Sequence, residues 1–479
     1  MNIVQQPAAK LLATGSEIIF TVKDNSVITN VKGKYVAEVY IGTDGATLIT
    51  GNPTCVLKVN PNSHGVGIFD FSSVFDNYVS PDYEGGQSVS TNNTWLSKYK
   101  GANYTSITPH SVHQVDRFVT NKKSVRYFTI NFYVEYATSV TEPVLPDRTN
   151  EWQTARFIMF NGYLDNTEIL YRSGATGGFA YNFEGNNWTL KSNDSKFLTN
   201  APPVKQYIRL NDFHTMPFFN NLSVSNSGFE MAPSGTLSCV YDLIYKFYYN
   251  GSLVQTSFSS SNSRSSGGAY SSNMDSNSHI VFAGMGTANL VNFGISLPAN
   301  WDYYTVEARD SAANIISKPY EFHQQYDDCK GFETIRLTWL NKWGTWDYYN
   351  FTKKSIRNIN KKPVYYHQLG GTWNDEEYSI RGHKGGKRIL NNVANEEITI
   401  NTDYITETEA VWLEELFVST DVFILNKNSS DISGQIINKY LEPVIVSSTT
   451  HIRKTQANDK LIQYSIDLEK SKTKRTHRV

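Results

Sequence analysis

The stretch TIRLTWLNKWGTWDYYNF, Thr334–Phe351, constrains the fold more than any other part of the chain. Three tryptophans (Trp339, Trp343, Trp346) and two tyrosines (Tyr348, Tyr349) fall within eleven residues. Ile335, Leu337 and Trp339 alternate with Arg336 and Thr338, the period-2 pattern of a half-buried strand. Asn341 to Gly344 then supplies a turn in which Gly344 is free to take positive φ. A second aromatic strand leaves the turn, so the stretch reads as a β-hairpin closed by large side chains. Each such aromatic hides roughly 150–250 Å² when buried, enough for the hairpin to anchor a domain. The alternative use of clustered aromatics is a sugar-stacking platform, with Trp343 and Trp346 as its candidate rings. Core packing is the favoured reading, and it expects Ile335, Leu337 and Trp339 to be buried.

A chain of 479 residues is too long for one core and is expected to hold two to four domains. Its formal charge is −1, so no global field selects nucleic acid, membranes or acidic ligands. Only 19% of residues are charged, while Tyr (30) and Phe (25) are abundant, a balance that suits β-structure with polar loops. Three widely spaced cysteines (Cys55, Cys239, Cys329) form no CxxC pair and read as buried free thiols, in keeping with a reducing compartment. The first residues lack the basic and apolar regions of a signal peptide, and no apolar run approaches the ~20 residues that span a bilayer. No membrane insertion is expected.

Short strands are expected at Glu17–Val22, Tyr35–Ile41 and Thr54–Val59. A single helical turn follows, capped by Ser72 or Ser73, carrying Val74, Phe75 and Tyr78 inward. Residues 84–115 read as a long exposed loop, Val125–Tyr136 as a strong strand broken by Pro143 and Pro146, and Arg156–Leu164 as the start of another. Further strands fall at Tyr207–Leu210, Thr236–Tyr249 and Ile280–Ala283, with Asn250-Gly251 as a hairpin turn. The Ser/Asn/Gly tract 257–278 reads as a mobile loop. Beyond the tryptophan hairpin come strands at Tyr365–Leu369, Glu397–Asn401, Asp421–Leu425, Val444–Val446 and Leu461–Leu468. One helix near 406–418 has a Thr406/Glu409 capping box and a face of Val411, Trp412, Leu416 and Phe417, a lid for the hairpin's apolar side. The expectation is a mainly β chain of serial β-sandwich domains, Ig-like or jelly-roll-like, with few short helices. Its domains are 1–195, 196–330 with the loop 257–278, and 331–479 with a basic tail.

Catalytic motifs are missing. His110, His113 and Asp116 form an H-x-x-H-x-x-D string on a polar segment after Pro109, a weak metal signal without HExxH. Asp375, Glu376 and Glu377 are sequence neighbours, and with Asp347 they define no acid–base pair across a cleft. No G-x-S-x-G occurs. GHKGGKR (Gly382–Arg388) lacks phosphate-loop spacing, because Arg388 stands where Ser or Thr would follow Lys387. Lys384, Lys387 and Arg388 read instead as a flexible basic loop at a subunit contact. Lys474 and Arg475, in the tail KSKTKRTHRV, read as further assembly contacts. No enzyme activity, cofactor or metal is expected.

The blocks EIIFTV, KYVAEVYI, LKVNPNSHGVGIFDFSSVFDNYV, KFLTNAPP, RLTWLNKWGTWDYYNF and AVWLEELFVSTDVFIL resemble virion structural proteins of crAss-like and related Bacteroidetes tailed phages. The resemblance covers most of the chain and excludes the serine-rich insert. It implies a collar, tail or fibre-associated component, built of β-domains and synthesised in the bacterial host cytoplasm. It would work as a homo-oligomer docked to portal, collar, tail or fibre proteins, with no nucleic acid as primary partner. It transfers no catalytic residue. The alternative is a receptor- or carbohydrate-binding module using Trp343 and Trp346.

Overall fold

The computed structural model describes the chain apart from residues 9–10, 44–50, 84–111, 116–117, 164, 166–168, 173–177, 182–186, 221–222, 225–228, 231–239, 260, 263–275, 277–278, 293, 327–330, 373–375, 427–440, 449–450, 456–460 and 476–479. It is mainly β, with 48% strand and 8% helix. Two compact units emerge: Met1–Gln325 with Leu340–Asp347, and Tyr326–Trp339 with Tyr348–Val479.

In the first unit, alternating apolar residues build a sandwich. Strands Asn2–Gln5, Ile19–Lys23 and Val66–Asp70 form a three-stranded antiparallel sheet. Opposite lies a six-stranded sheet, whose long members Val31–Gly42 and Val125–Ala137 pair antiparallel. Phe20, Val22 and Phe69 from one sheet meet Tyr35, Ala37, Phe128, Ile130 and Phe132 from the other. Phe20 sits 5.5 Å from Phe157 in edge contact and Phe69 lies 5.3 Å from Phe132, arrangements that suit aromatic quadrupoles.

A second core in the same unit is built likewise. Five strands, in the order Gln206–Ile208, Tyr320–Gln324, Tyr303–Arg309, Asp242–Tyr249 and Ser252–Phe258, cover a sheet of Thr215–Phe219, Ile280–Gly284 and Val119–Thr120. Inward tyrosines keep their hydroxyls satisfied: Tyr245 donates to the Gly284 carbonyl (3.2 Å) and Tyr304 to that of Met285 (2.8 Å). Phe118 and Leu190, from earlier in the chain, enter this core. The Asn250-Gly251 turn takes φ of 48° and 74°, the double positive φ of a tight hairpin.

The second unit is one eight-stranded sheet. Its main path runs Trp346–Phe351, Ile335–Leu340, Val422–Leu425, Leu441–Val446, Ser465–Lys470, Gly386–Asn401, Ile356–Gln368, and Lys474–Arg475 adds to Gly386–Asn401. The helix Glu407–Val418 opens with the expected capping box, Glu409 N donating to Thr406 Oγ1 at 3.2 Å and Thr406 N to Glu409 Oε2 at 2.8 Å. It lays Trp412 5.2 Å from Trp339. Its buried face is Ala410, Trp412, Leu413 and Leu416, while Val411 is exposed. The i, i+3, i+4 set through Leu413 excludes Val411, which lies about 100° around the axis from Trp412.

Several local expectations are corrected. Ser72 and Ser73 do not cap the short helix Ser72–Phe75; Asp70 Oδ1 instead accepts from Ser72 N at 3.0 Å, and Tyr78 stays exposed while Val79 is buried. The strand Val125–Ala137 does end before Pro143, but Pro146 itself sits in the next strand, Leu145–Gln153, which among the described residues pairs only with Val125–Ala137 and so lacks an outer neighbour that needs its N–H. Most of 84–115 lies outside the described residues, but Val112, His113 and Val115 are buried. The tract 257–278 is anchored at its described ends: Asn262 donates to the carbonyls of Tyr241 and Val240, and Ser276 N to that of Thr43. Cys55 is a free thiol only half-buried, its pKa raised by desolvation, and Cys239 and Cys329 lie outside the described residues.

Two glycines separate backbone need from spatial need. Gly251 and Gly344 both have positive φ, but a Cβ on Gly251 meets open space, whereas one on Gly344 would lie 1.7 Å from the Asn161 carbonyl oxygen. Gly251→Ala is expected to cost about 1–2 kcal/mol, and Gly344→Ala upward of about 3 kcal/mol because strain and clash add. Urea midpoints of the two variants measure the difference, and equal midpoints would refute it.

Candidate functional site

The tryptophan hairpin was the first candidate, and its tip is interior. Asn341 organises the turn. Its Oδ1 accepts from Trp343 N (3.0 Å), Thr345 N (3.2 Å) and Thr345 Oγ1 (2.9 Å). Its Nδ2 donates to the Leu198 carbonyl (3.0 Å) and to Asp347 Oδ1 (3.1 Å). The amide's hydrogen-bonding capacity is used up, which is what permits a turn to be buried. Asp347 thus serves as an internal acceptor for the turn.

Trp343 is 0% exposed and packs 4.2 Å from Trp188, with the Lys342 ammonium 5.0 Å above its ring. Lys342 also pairs with Asp165 at 2.9 Å. Trp346, 2% exposed, donates from Nε1 to the Asp82 carbonyl (2.9 Å), meets His113 edge-on (5.1 Å) and lies tilted against Tyr83 (5.6 Å). Neither indole offers a face to a sugar, which corrects their assignment as glycan-contact residues. The turn position misled because a turn is normally at the surface, whereas this one is enclosed.

Of the H-x-x-H-x-x-D string, only His113 is described, and it is enclosed beside Trp346. Among the described residues no group of three His, Cys, Asp or Glu is arranged to hold a metal ion. Glu376 and Glu377 are exposed, and Asp375 lies outside the described residues. No described helix is long and apolar enough to cross a membrane.

The glycine-rich basic segment runs from a turn into a strand at Gly386. Gly385 and Gly386 (φ 103° and 77°) turn the chain into Gly386–Asn401, so Lys387 and Arg388 stand on a β-ribbon rather than a free loop. Lys387 lies 4.0 Å over the Tyr365 ring, Arg388 donates to the His383 and Gly385 carbonyls, and Lys384 is half-buried. The basic tail is likewise drawn into the sheet: Lys474 and Arg475 pair with Ala394 and Val393. Glu396, missed in the sequence, gathers Lys474 (2.7 Å), Lys470 (3.2 Å) and Arg357 (3.4 Å). The Lys474 hydrogen bond is the main reason its carboxyl titrates below the ordinary range.

A second arrangement that the sequence did not reveal is a ring ladder across the five-stranded sheet. Tyr248 stacks on Tyr303 (4.7 Å, 8° between planes), Tyr303 on His323 (5.0 Å, 16°), and Tyr207 tilts against His323 (6.2 Å). Its members are cross-strand neighbours from four segments, so no local spacing announces it. Near-parallel rings this close cover each other's faces, which stabilises the sheet and leaves little ring face for a ligand.

His279 is the clearest perturbed titratable group. Fully enclosed and 2.7 Å from the Tyr127 hydroxyl, it has its pKa pushed down to about 4 by desolvation. A depressed histidine pKa means the unfolded chain binds the proton first, so stability falls as pH drops from about 6.5 towards about 4, by at most about 1.4 kcal/mol per pH unit. His279→Gln is expected to flatten that part of the stability profile, read as thermal midpoint against pH; a parallel profile would refute the assignment. Trp343→Ala is expected to cost about 3–5 kcal/mol by opening a cavity, measured by denaturant unfolding.

No protein-family model and no curated protein matches the chain.

Proposed function

We propose that this protein is a non-enzymatic structural component of a tailed-phage virion, at the collar, tail or fibre-attachment region, acting by oligomeric assembly and docking to other virion proteins. The observation that carries the reading is where the aromatic side chains are spent. Trp339, Trp343, Trp346 and the phenylalanines of both sandwiches are consumed in cores. The polar groups at Asn341 and Glu396 bond among themselves. Aromatic-packed β-structure of this kind suits a load-carrying part, and the blockwise sequence resemblance to crAss-like phage virion proteins supplies the particle. Proteomic quantification of purified virions, with electron microscopy of the particles, is expected to find the chain at a copy number fixed by the particle's symmetry. Its absence from purified virions would overturn the reading.

A further inference from the structure

In the second unit, Ile356–Gln368 and the first part of Gly386–Asn401 form a long exposed ribbon. Pairing of Gly386–Asn401 with Ser465–Lys470 covers only Glu397–Asn401, and Lys474–Arg475 reaches only Val393 and Ala394. Beyond those positions, among the described residues, no further strand pairs with the stretch from Pro363↔Asn392 to Gln368↔Gly386. The turn extends the pairing further, with Arg381 N donating to the Gly370 carbonyl and Thr372 N to that of Ser379. At about 3.3 Å per residue the doubly exposed part of the strands reaches roughly 20 Å past the sheet. A lone two-stranded ribbon is marginal in water, yet this one displays apolar side chains: Val364 (52% exposed), Tyr365 (51%), Leu369 (60%), Ile380 (80%) and Ile389 (45%).

Charge indicates what covers it. From Ile356 to Asn395, turn included, the ribbon carries seven basic residues, Arg357, Lys361, Lys362, Arg381, Lys384, Lys387 and Arg388, against three acidic ones at the turn, Asp375, Glu376 and Glu377. The whole chain is −1, so removing this net +4 leaves −5 on the rest. Lys361, Lys362 and Pro363 also sit together on the outermost strand, where lysine and proline discourage edge-to-edge strand addition. Contact therefore falls to the ribbon's faces.

We propose that this ribbon is an assembly arm that lies face-on against the acidic remainder of a second copy of the same chain. The inference rests on the assembly reading above and names its element and its partner. The full-length chain, studied by sedimentation velocity, is expected to self-associate and to dissociate as salt rises to about 1 M, where the screening length is about 3 Å. Lys361→Glu, Lys362→Glu and Lys387→Glu together are expected to weaken association at least about tenfold, since like charges would then face each other, with an unchanged far-ultraviolet spectrum. If that reversal unfolds the ribbon, lysine-to-glutamine changes at the same three positions provide the milder variant, with a smaller weakening expected. Carboxylate–amine cross-linking of mixed heavy- and light-isotope chains is expected to join these lysines to acidic residues of the other copy. A parent that stays monomeric, or self-associates without regard to salt or to these substitutions, overturns the proposal. A monomer found in virions refutes the arm's role alone, whereas a salt-sensitive oligomer absent from virions refutes the virion reading alone.

Discussion

One buried turn sets the terms for the first unit. Residues Leu340–Asp347 belong to that unit although their flanking strands belong to the second. Burying a turn exposes backbone N–H and C=O groups to a medium with no water, at a cost of several kcal/mol per orphaned group. Asn341 removes that cost by accepting from Trp343 and Thr345 and donating to Leu198 and Asp347. Only with the turn so satisfied do Trp343 and Trp346 reach Trp188 and the Asp82 carbonyl. A shorter or non-amide side chain at 341 would leave both indoles without the turn that carries them.

The same economy recurs elsewhere in the structure. Several core tyrosines end on a backbone carbonyl, as Tyr35 does at Gly65 (2.7 Å) and Tyr304 at Met285 (2.8 Å). Charges that enter a sheet are shared, as Glu396 is among three cations. His279 is held neutral by enclosure rather than matched by a charge, and with Tyr127 as its hydroxyl partner its other ring nitrogen is one of several buried polar atoms left without a bond.

Fold class and most strands were legible because strands write their pattern locally. VRYFTINFYVEY alternates between two packed faces, Asn250-Gly251 encodes its own turn, and Thr406 with Glu409 encodes a helix start. The candidate site was less legible, because enclosure is a long-range property. Nothing within a few residues of Trp343 reports that Trp188 lies against it, and the ladder of Tyr248, Tyr303, His323 and Tyr207 draws on four separate segments. The basic residues were legible as charges but not as placements. Lys387, Arg388 and Lys474 looked like loop and tail, and became strand because Gly386–Asn401 extends eleven positions earlier than the pattern at Glu397 announces.

The path of the chain through Leu340–Asp347 also imposes an order on synthesis. The second unit is discontinuous: its first segment, Tyr326–Trp339, emerges from the ribosome before the residues that complete the first unit. A nascent chain halted at Gln325 presents Trp188 with no Trp343 to pack on it. The first unit therefore acquires its last interior aromatics only when translation has passed Asp347, already inside the sequence of the second. Cutting this gene at residue 325 would yield a first unit missing part of its interior.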